Sequence, residues 1–149
     1  MARARILLAD DHKAMRERVM HMLEEEFEVL AAVEDGQAIV DAAHELKPDL
    51  CLLDISMPVM NGIEVANELK HDGSTAKIIF LTIHEDPDFV QAALNSGASG
   101  YVVKSRIASD LLIAIRDVLA GRRFVSSAAM HCLERNLKTG AQPSRLLLS

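Results

Sequence analysis

Apolar residues in this chain fall into short continuous runs that alternate with helix-spaced stripes. The runs are residues 3–9 (RARILLA), residues 27–33 (FEVLAAV), Leu50–Leu53 (LCLL), residues 77–81 (KIIFL) and Gly100–Val103 (GYVV). Short uninterrupted apolar runs, bounded by turn formers or charge, predict strands buried on both faces. Between the runs, Met15, Val19, Met22 and Leu23 share one helical face, as do Ile39, Ala42, Ala43 and Leu46, and then Ile63, Ala66 and Leu69. Asp86-Pro87 opens a fourth helix with a cap and a first-turn proline. Ala92, Ala93 and Leu94 give that helix a mild core face, and Gly97 ends it. Ile107, Leu111, Leu112, Ile115, Val118 and Leu119 line a last, longer helix closed by Gly121. Asp35-Gly36, Pro48 and the loop 58–62 (PVMNG) punctuate the series.

Strand followed by helix, five times over, forces parallel pairing with right-handed crossovers, and hence an α/β sheet with helices on both faces. Periodicity alone does not choose among the strand orders open to such a sheet.

Composition narrows the picture. The 149 residues suffice for one domain and a modest appendage, and a core with 3% aromatic residues is built from Leu, Ile, Val, Met and Ala. A formal charge of -6 argues against a chain that grips nucleic acid over a broad basic face. Two cysteines, Cys51 and Cys132, make no disulfide framework, and Cys51 falls inside the central run, which predicts a reduced, cytosolic protein. No apolar run approaches the roughly 18 residues of a membrane helix.

Candidate chemistry lies where the runs stop. In a doubly wound sheet the first, third, fourth and fifth strands deliver their final residues to one rim, and ligands bind there. Those residues are Asp10 and Asp11, then Asp54, Thr82 and Lys104. Two carboxylates about 4 Å apart repel by roughly 4 kcal/mol at an effective dielectric near 20, so three together call for a cation or a raised pKa. Magnesium suits oxygen donors that leave room for water and phosphate. A carboxylate nucleophile, a magnesium ion, an ammonium and a hydroxyl are the parts needed to form an aspartyl phosphate. The plainer reading is an acid-lysine network that neutralises itself, which explains neither the spare acids nor the hydroxyl. His12, beside the acid pair, reads as a helix-entry residue, because no second His or Cys sits at ligand spacing.

The motifs L-L-A-D-D-H, L-L-D-I-S-M-P-V-M-N-G, I-I-F-L-T and G-Y-V-V-K together resemble the receiver (CheY-like) domain of two-component response regulators, over about residues 3–125. The runs M-N-G-I-E-V-A, L-T-I-H-E-D-P and A-G-R-R-F-V-S resemble its NarL/LuxR-type class. The resemblance implies a flavodoxin-like, five-stranded parallel sheet in the order 2-1-3-4-5. It implies Asp54 as phosphoacceptor, with magnesium on Asp10, Asp11, Asp54 and the Ser56 backbone carbonyl. It also implies Lys104 on the phosphoryl group, Thr82 and Tyr101 as a switch pair, a sensor histidine kinase as donor, and a homodimer on phosphorylation. Without it, Tyr101 reads as a partly buried strand aromatic with its hydroxyl in water. His84 and Met57, near the acceptor, read either as solvated loop residues or as tuners of water access. Many receivers carry proline after the lysine, with a cis bond before it; Ser105 stands there here, so the sequence leaves that loop's geometry open.

From Ser126 the character changes. Residues 126–149 hold Arg135, Lys138 and Arg145 against Glu134 alone, a net +2 that leaves -8 for residues 1–125. Ser126 and Ser127 are candidate caps for a linker helix bearing Met130, Leu133 and Leu137. The expected organisation is a receiver over 1–125 and a linker helix and tail over 126–149. DNA would be reached only through a helix-turn-helix absent from this chain, either because the chain is cut near Arg145 or because it is a single-domain receiver. Two other classes compete: an aspartyl-phosphate phosphatase, which usually wants an acid where Ser56 stands, and a binding module that is never phosphorylated.

Overall fold

The computed structural model describes residues 3–84 and 86–126. Strands β1 (Arg5–Ala9), β2 (Glu28–Val33), β3 (Leu50–Leu53), β4 (Lys77–Thr82) and β5 (Gly100–Val103) alternate with helices α1 (Lys13–Leu23), α2 (Gly36–Leu46), α3 (Gly62–His71), α4 (Pro87–Asn95) and α5 (Ile107–Leu119). A 3-10 turn, Lys104–Arg106, joins β5 to α5, and a short strand β6 (Phe124–Val125) follows. All pairs are parallel, in the order β2-β1-β3-β4-β5-β6. The expected order of the first five strands is therefore present, with a sixth strand added. Two residues wedged between Arg123 and Ser126 carry no periodicity, so β6 left no signal in the sequence.

The sheet is buried on both faces because its side chains alternate. Leu7, Ala9, Cys51, Leu53, Phe80, Tyr101 and Val103 face a cluster completed by α2, α3 and α4. Their neighbours Ile6, Leu8, Leu50, Leu52, Ile79, Leu81 and Val102 face α1 and α5. Each such Leu, Ile or Phe contributes about 1.5–3 kcal/mol by leaving water. β1 starts two residues later than the apolar run suggested, and the side chain of Arg5, its first residue, donates to the Leu46 and Lys47 carbonyls. Phe27 precedes β2 and packs in the α1–α5 cluster.

Local signals set the helix ends. Asp35 caps α2 through Ala38 N, Lys47 ends it in left-handed geometry, and Pro48 follows. Asn61 and Glu64 form a reciprocal capping box at α3, satisfying two otherwise orphaned donors. Asp86 accepts from Asp88 N with Pro87 in the first turn of α4, as expected. Ser126 is the last described residue, so the anticipated linker helix, and any capping of it by Ser126, lies outside the described residues. The Ser126 hydroxyl is held by β5 and α5.

Candidate functional site: an acidic pocket at the strand ends

Register brings the candidate residues to one rim. Ala9 and Leu53 are Cα partners, so Asp10 and Asp54, each one residue further on, emerge side by side. Thr82 pairs with Val103, which carries Lys104 out just beyond. Gly62 lets α3 close against this edge, because a Cβ there would lie 2.4 Å from the Asp54 carbonyl oxygen.

The ammonium of Lys104 lies 2.8 Å from Asp10 Oδ2 and donates to Asp54 Oδ2 at 3.1 Å. All three side chains are buried, Asp10 at 1% exposure. The second Asp54 oxygen accepts from Ser56 N at 3.3 Å, and Asp10 Oδ1 accepts from His12 N at 2.9 Å. Arg16 donates to the Asp10 carbonyl, which ties α1 to the same corner. Burial pushes the Asp54 carboxyl up, against the downward pull of Lys104, and the Asp10 charge adds to the rise. Burial alone would lower Lys104, but its hydrogen bonds to and charge attraction by the two aspartates outweigh that and raise it. The lysine is thus a fixed positive charge at neutral pH.

Asp11 is exposed at the mouth, and His12 stands at the N-cap position of α1, the helix-entry place read from the sequence. One ligand atom each from Asp10, Asp11, His12 and Asp54 can be chosen within 4.8 Å of one another. Three carboxylates this close, two of them buried, form an oxygen-rich donor set that fits a hard divalent cation.

Thr82 joins the rim fully buried, and its hydroxyl accepts from His84 N at 3.2 Å rather than touching an acid. Tyr101 departs from its plain reading. It is fully buried, and its hydroxyl donates to the His84 carbonyl at 2.7 Å, because β5 is covered by α4 and the loop before α4 brings that carbonyl within reach. His84 is more than a solvated loop residue. Its ring is 2.9 Å from Ser56 Oγ and stacks on Phe89 of α4, with centroids 4.2 Å apart. That node had no signal in the sequence, since it joins residues 28 apart in the chain. Met57 packs against the α2–α4 cluster. The peptide bonds of the Lys104 turn are all trans, which answers the question raised by Ser105.

The response regulator receiver domain family matches residues 6–116. The chain belongs to that family. The transcriptional regulatory protein DegU of Brevibacillus brevis is 38% identical to this receiver over 130 residues, covering 86% of the present chain but 55% of its own length. The chain thus spans about half of that relative. A LuxR-family two-component response regulator from Aurantimonas sp. SI85-9A1 superposes with a TM-score of 0.86 at 32% identity, covering 91% of this chain and 98% of the other. The isolated REC domain of RcsB from Salmonella enterica serovar Typhimurium, solved with the phosphomimetic BeF3-, gives a TM-score of 0.82 at 25% identity and covers 88% and 99% of the two chains. The receiver is related to the NarL/LuxR class and is a signalling domain rather than a conventional enzyme. Among the described residues no helix is long and apolar enough to cross a membrane.

Proposed function

We propose that this receiver takes a phosphoryl group on Asp54 from a sensor histidine kinase and changes its α4 and β5 surface in response. One observation carries the reading: a buried carboxylate, flanked by a second buried acid and held by one ammonium, at the end of the central strand. In the transfer, an Asp54 oxygen attacks phosphorus in line, the phosphorus–nitrogen bond of the phosphohistidine breaks, and the imidazole leaves with the bond pair. Lys104 neutralises the charge that develops on the phosphoryl oxygens. Asp10, Asp11, Asp54 and the Ser56 backbone carbonyl would hold Mg2+, which supplies Lewis-acid neutralisation of the same oxygens. The domain catalyses only its own phosphorylation and dephosphorylation.

The switch runs through His84. Thr82 can keep accepting from His84 N while its proton turns to a phosphoryl oxygen, which fixes the loop before α4. Tyr101 already occupies the inward position, so phosphorylation strengthens an existing arrangement instead of first vacating space. Homodimerisation on phosphorylation, cytoplasmic location and control of DNA through a helix-turn-helix beyond this segment complete the proposal, with residues 126–149 as linker.

Incubating the protein with Mg2+ and acetyl phosphate, and weighing it intact beside Asp54→Asn, tests this. A stable gain of one phosphoryl group on the wild type alone is expected. Steady turnover would indicate a phosphatase, and no reaction a binding module.

A further inference from the structure

The turn that carries Lys104 has no lock of its own. No proline follows the lysine, the 3-10 turn has no side-chain cap, and Arg106 at the start of α5 provides none either. Yet the Lys104 ammonium is held at 2.8 and 3.1 Å from two carboxylates. Something else must fix the backbone beneath it.

The fixing group comes from beyond α5. Ser126 is fully buried, and its backbone N–H donates to the Tyr101 carbonyl at 2.8 Å. Its hydroxyl accepts from Val103 N at 3.1 Å and donates to Asp110 Oδ2 at 2.9 Å. Val103 is the last residue of β5, and Asp110 lies in the first turn of α5. One hydroxyl therefore bridges the two ends of the segment bearing Lys104. Asp110 is itself 9% exposed, accepts from Ser109 Oγ at 3.0 Å and has Arg106 Nε 3.9 Å from its Oδ2. The hydroxyl uses both its proton and a lone pair. Truncating it leaves the buried Val103 amide without that acceptor and takes one donor from the Asp110 carboxylate, which keeps Ser109 and the nearby Arg106.

We propose that Ser126 and Asp110 are positioning residues for Lys104, a clasp that sets where its ammonium sits over the acceptor. The clasp rests on the reading of Asp54 as phosphoacceptor. It extends the functional unit to the first residue after β6 and gives that segment a direct hold on the chemistry. An error of about 1 Å in placing such a group can cost up to a hundredfold in rate.

The test is the initial rate of Asp54 phosphorylation by acetyl phosphate with Mg2+, read by intact mass on the full chain. Ser126→Ala and Asp110→Ala should each slow it about fivefold or more, and the double variant should be no slower than either alone. Asp110→Asn, whose amide oxygen still accepts the serine proton, should stay within about twofold of wild type. With Lys104→Ala as background, Ser126→Ala should add no further slowing, whereas a merely structural role would slow both backgrounds alike. Amide hydrogen exchange at Lys104 and Ser105 should quicken about tenfold in Ser126→Ala, a readout independent of the chemistry. If Ser126→Ala does not fold, Asp110→Ala carries the same comparisons. Wild-type rates in the variants, equal slowing with and without Lys104, or unchanged exchange would overturn the clasp alone. A wild-type chain that takes no phosphoryl group overturns the acceptor reading and the clasp with it.

Discussion

Lys104→Met is the sharpest probe of the acidic pocket, because it deletes one charge and keeps most of the stem's volume. The ammonium separates two buried carboxylates. Ligand oxygens of Asp10 and Asp54 lie within 4.8 Å, where two full charges repel by about 3.5 kcal/mol at an effective dielectric near 20. Breaking a buried ion cluster by removing one partner generally costs about 3–5 kcal/mol. We therefore expect Lys104→Met to lose about 3–4 kcal/mol of unfolding free energy at neutral pH without divalent cations, measured by urea unfolding followed by circular dichroism. The sign of the pH dependence follows from Asp54. Its carboxyl is raised by burial, so its ionised form is penalised in the fold, and that penalty is present above the folded pKa and relieved as pH falls. The deficit of the variant should thus shrink on acidification. It should also shrink on adding Mg2+ and in the double variant Lys104→Met/Asp54→Asn, where the repulsion is gone. A loss below about 1 kcal/mol, within the range of ordinary substitutions, or one that Asp54→Asn does not reduce, would refute the reasoning.

Three further outcomes follow from particular residues. Val59 is 80% exposed with φ +71, a costly geometry for a branched side chain, so Val59→Gly should raise stability by about 0.5–1 kcal/mol in the same urea assay. Gly62→Ala would drive a methyl into the Asp54 backbone and should cost about 1–3 kcal/mol, with slower phosphorylation by acetyl phosphate. Burial pushes the Cys51 thiol up to about 12, leaving about one thiolate in ten thousand at pH 8. In a Cys132→Ser variant, iodoacetamide should barely label the native protein, its rate should climb with pH through 10 without a plateau, and urea should release it; rapid native labelling at pH 8 would contradict this.

The five main strands were legible because burial on both faces leaves continuous apolar runs, and the helices because their apolar residues recur at helical spacing, with Asp86 and Pro87 marking the start of α4. The pocket was legible in outline because its acids and lysine end those runs. Strand order was not, since period two is the same for any neighbour. Nor were the groups that reach across the chain: Tyr101 to the His84 carbonyl, the His84 ring to Ser56, and the Ser126 hydroxyl to Asp110. Backbone carbonyls leave no trace in composition, and nothing in the run Val125-Ser126-Ser127 points to Val103 or Asp110 as partners of the first serine. The bidentate Arg116–Glu26 pair was equally hidden, its partners 90 residues apart.

The two-residue strand β6 has a consequence for solubility. It occupies the outer backbone of Gly100 and Tyr101, so β5, whose Tyr-Val-Val favours extended pairing, does not end the sheet. β6 itself is too brief, and too closely preceded by Arg122 and Arg123, to recruit another molecule. Stripped of it, the same protein would present an open, adhesive margin and would be expected to stick to its own copies at high concentration.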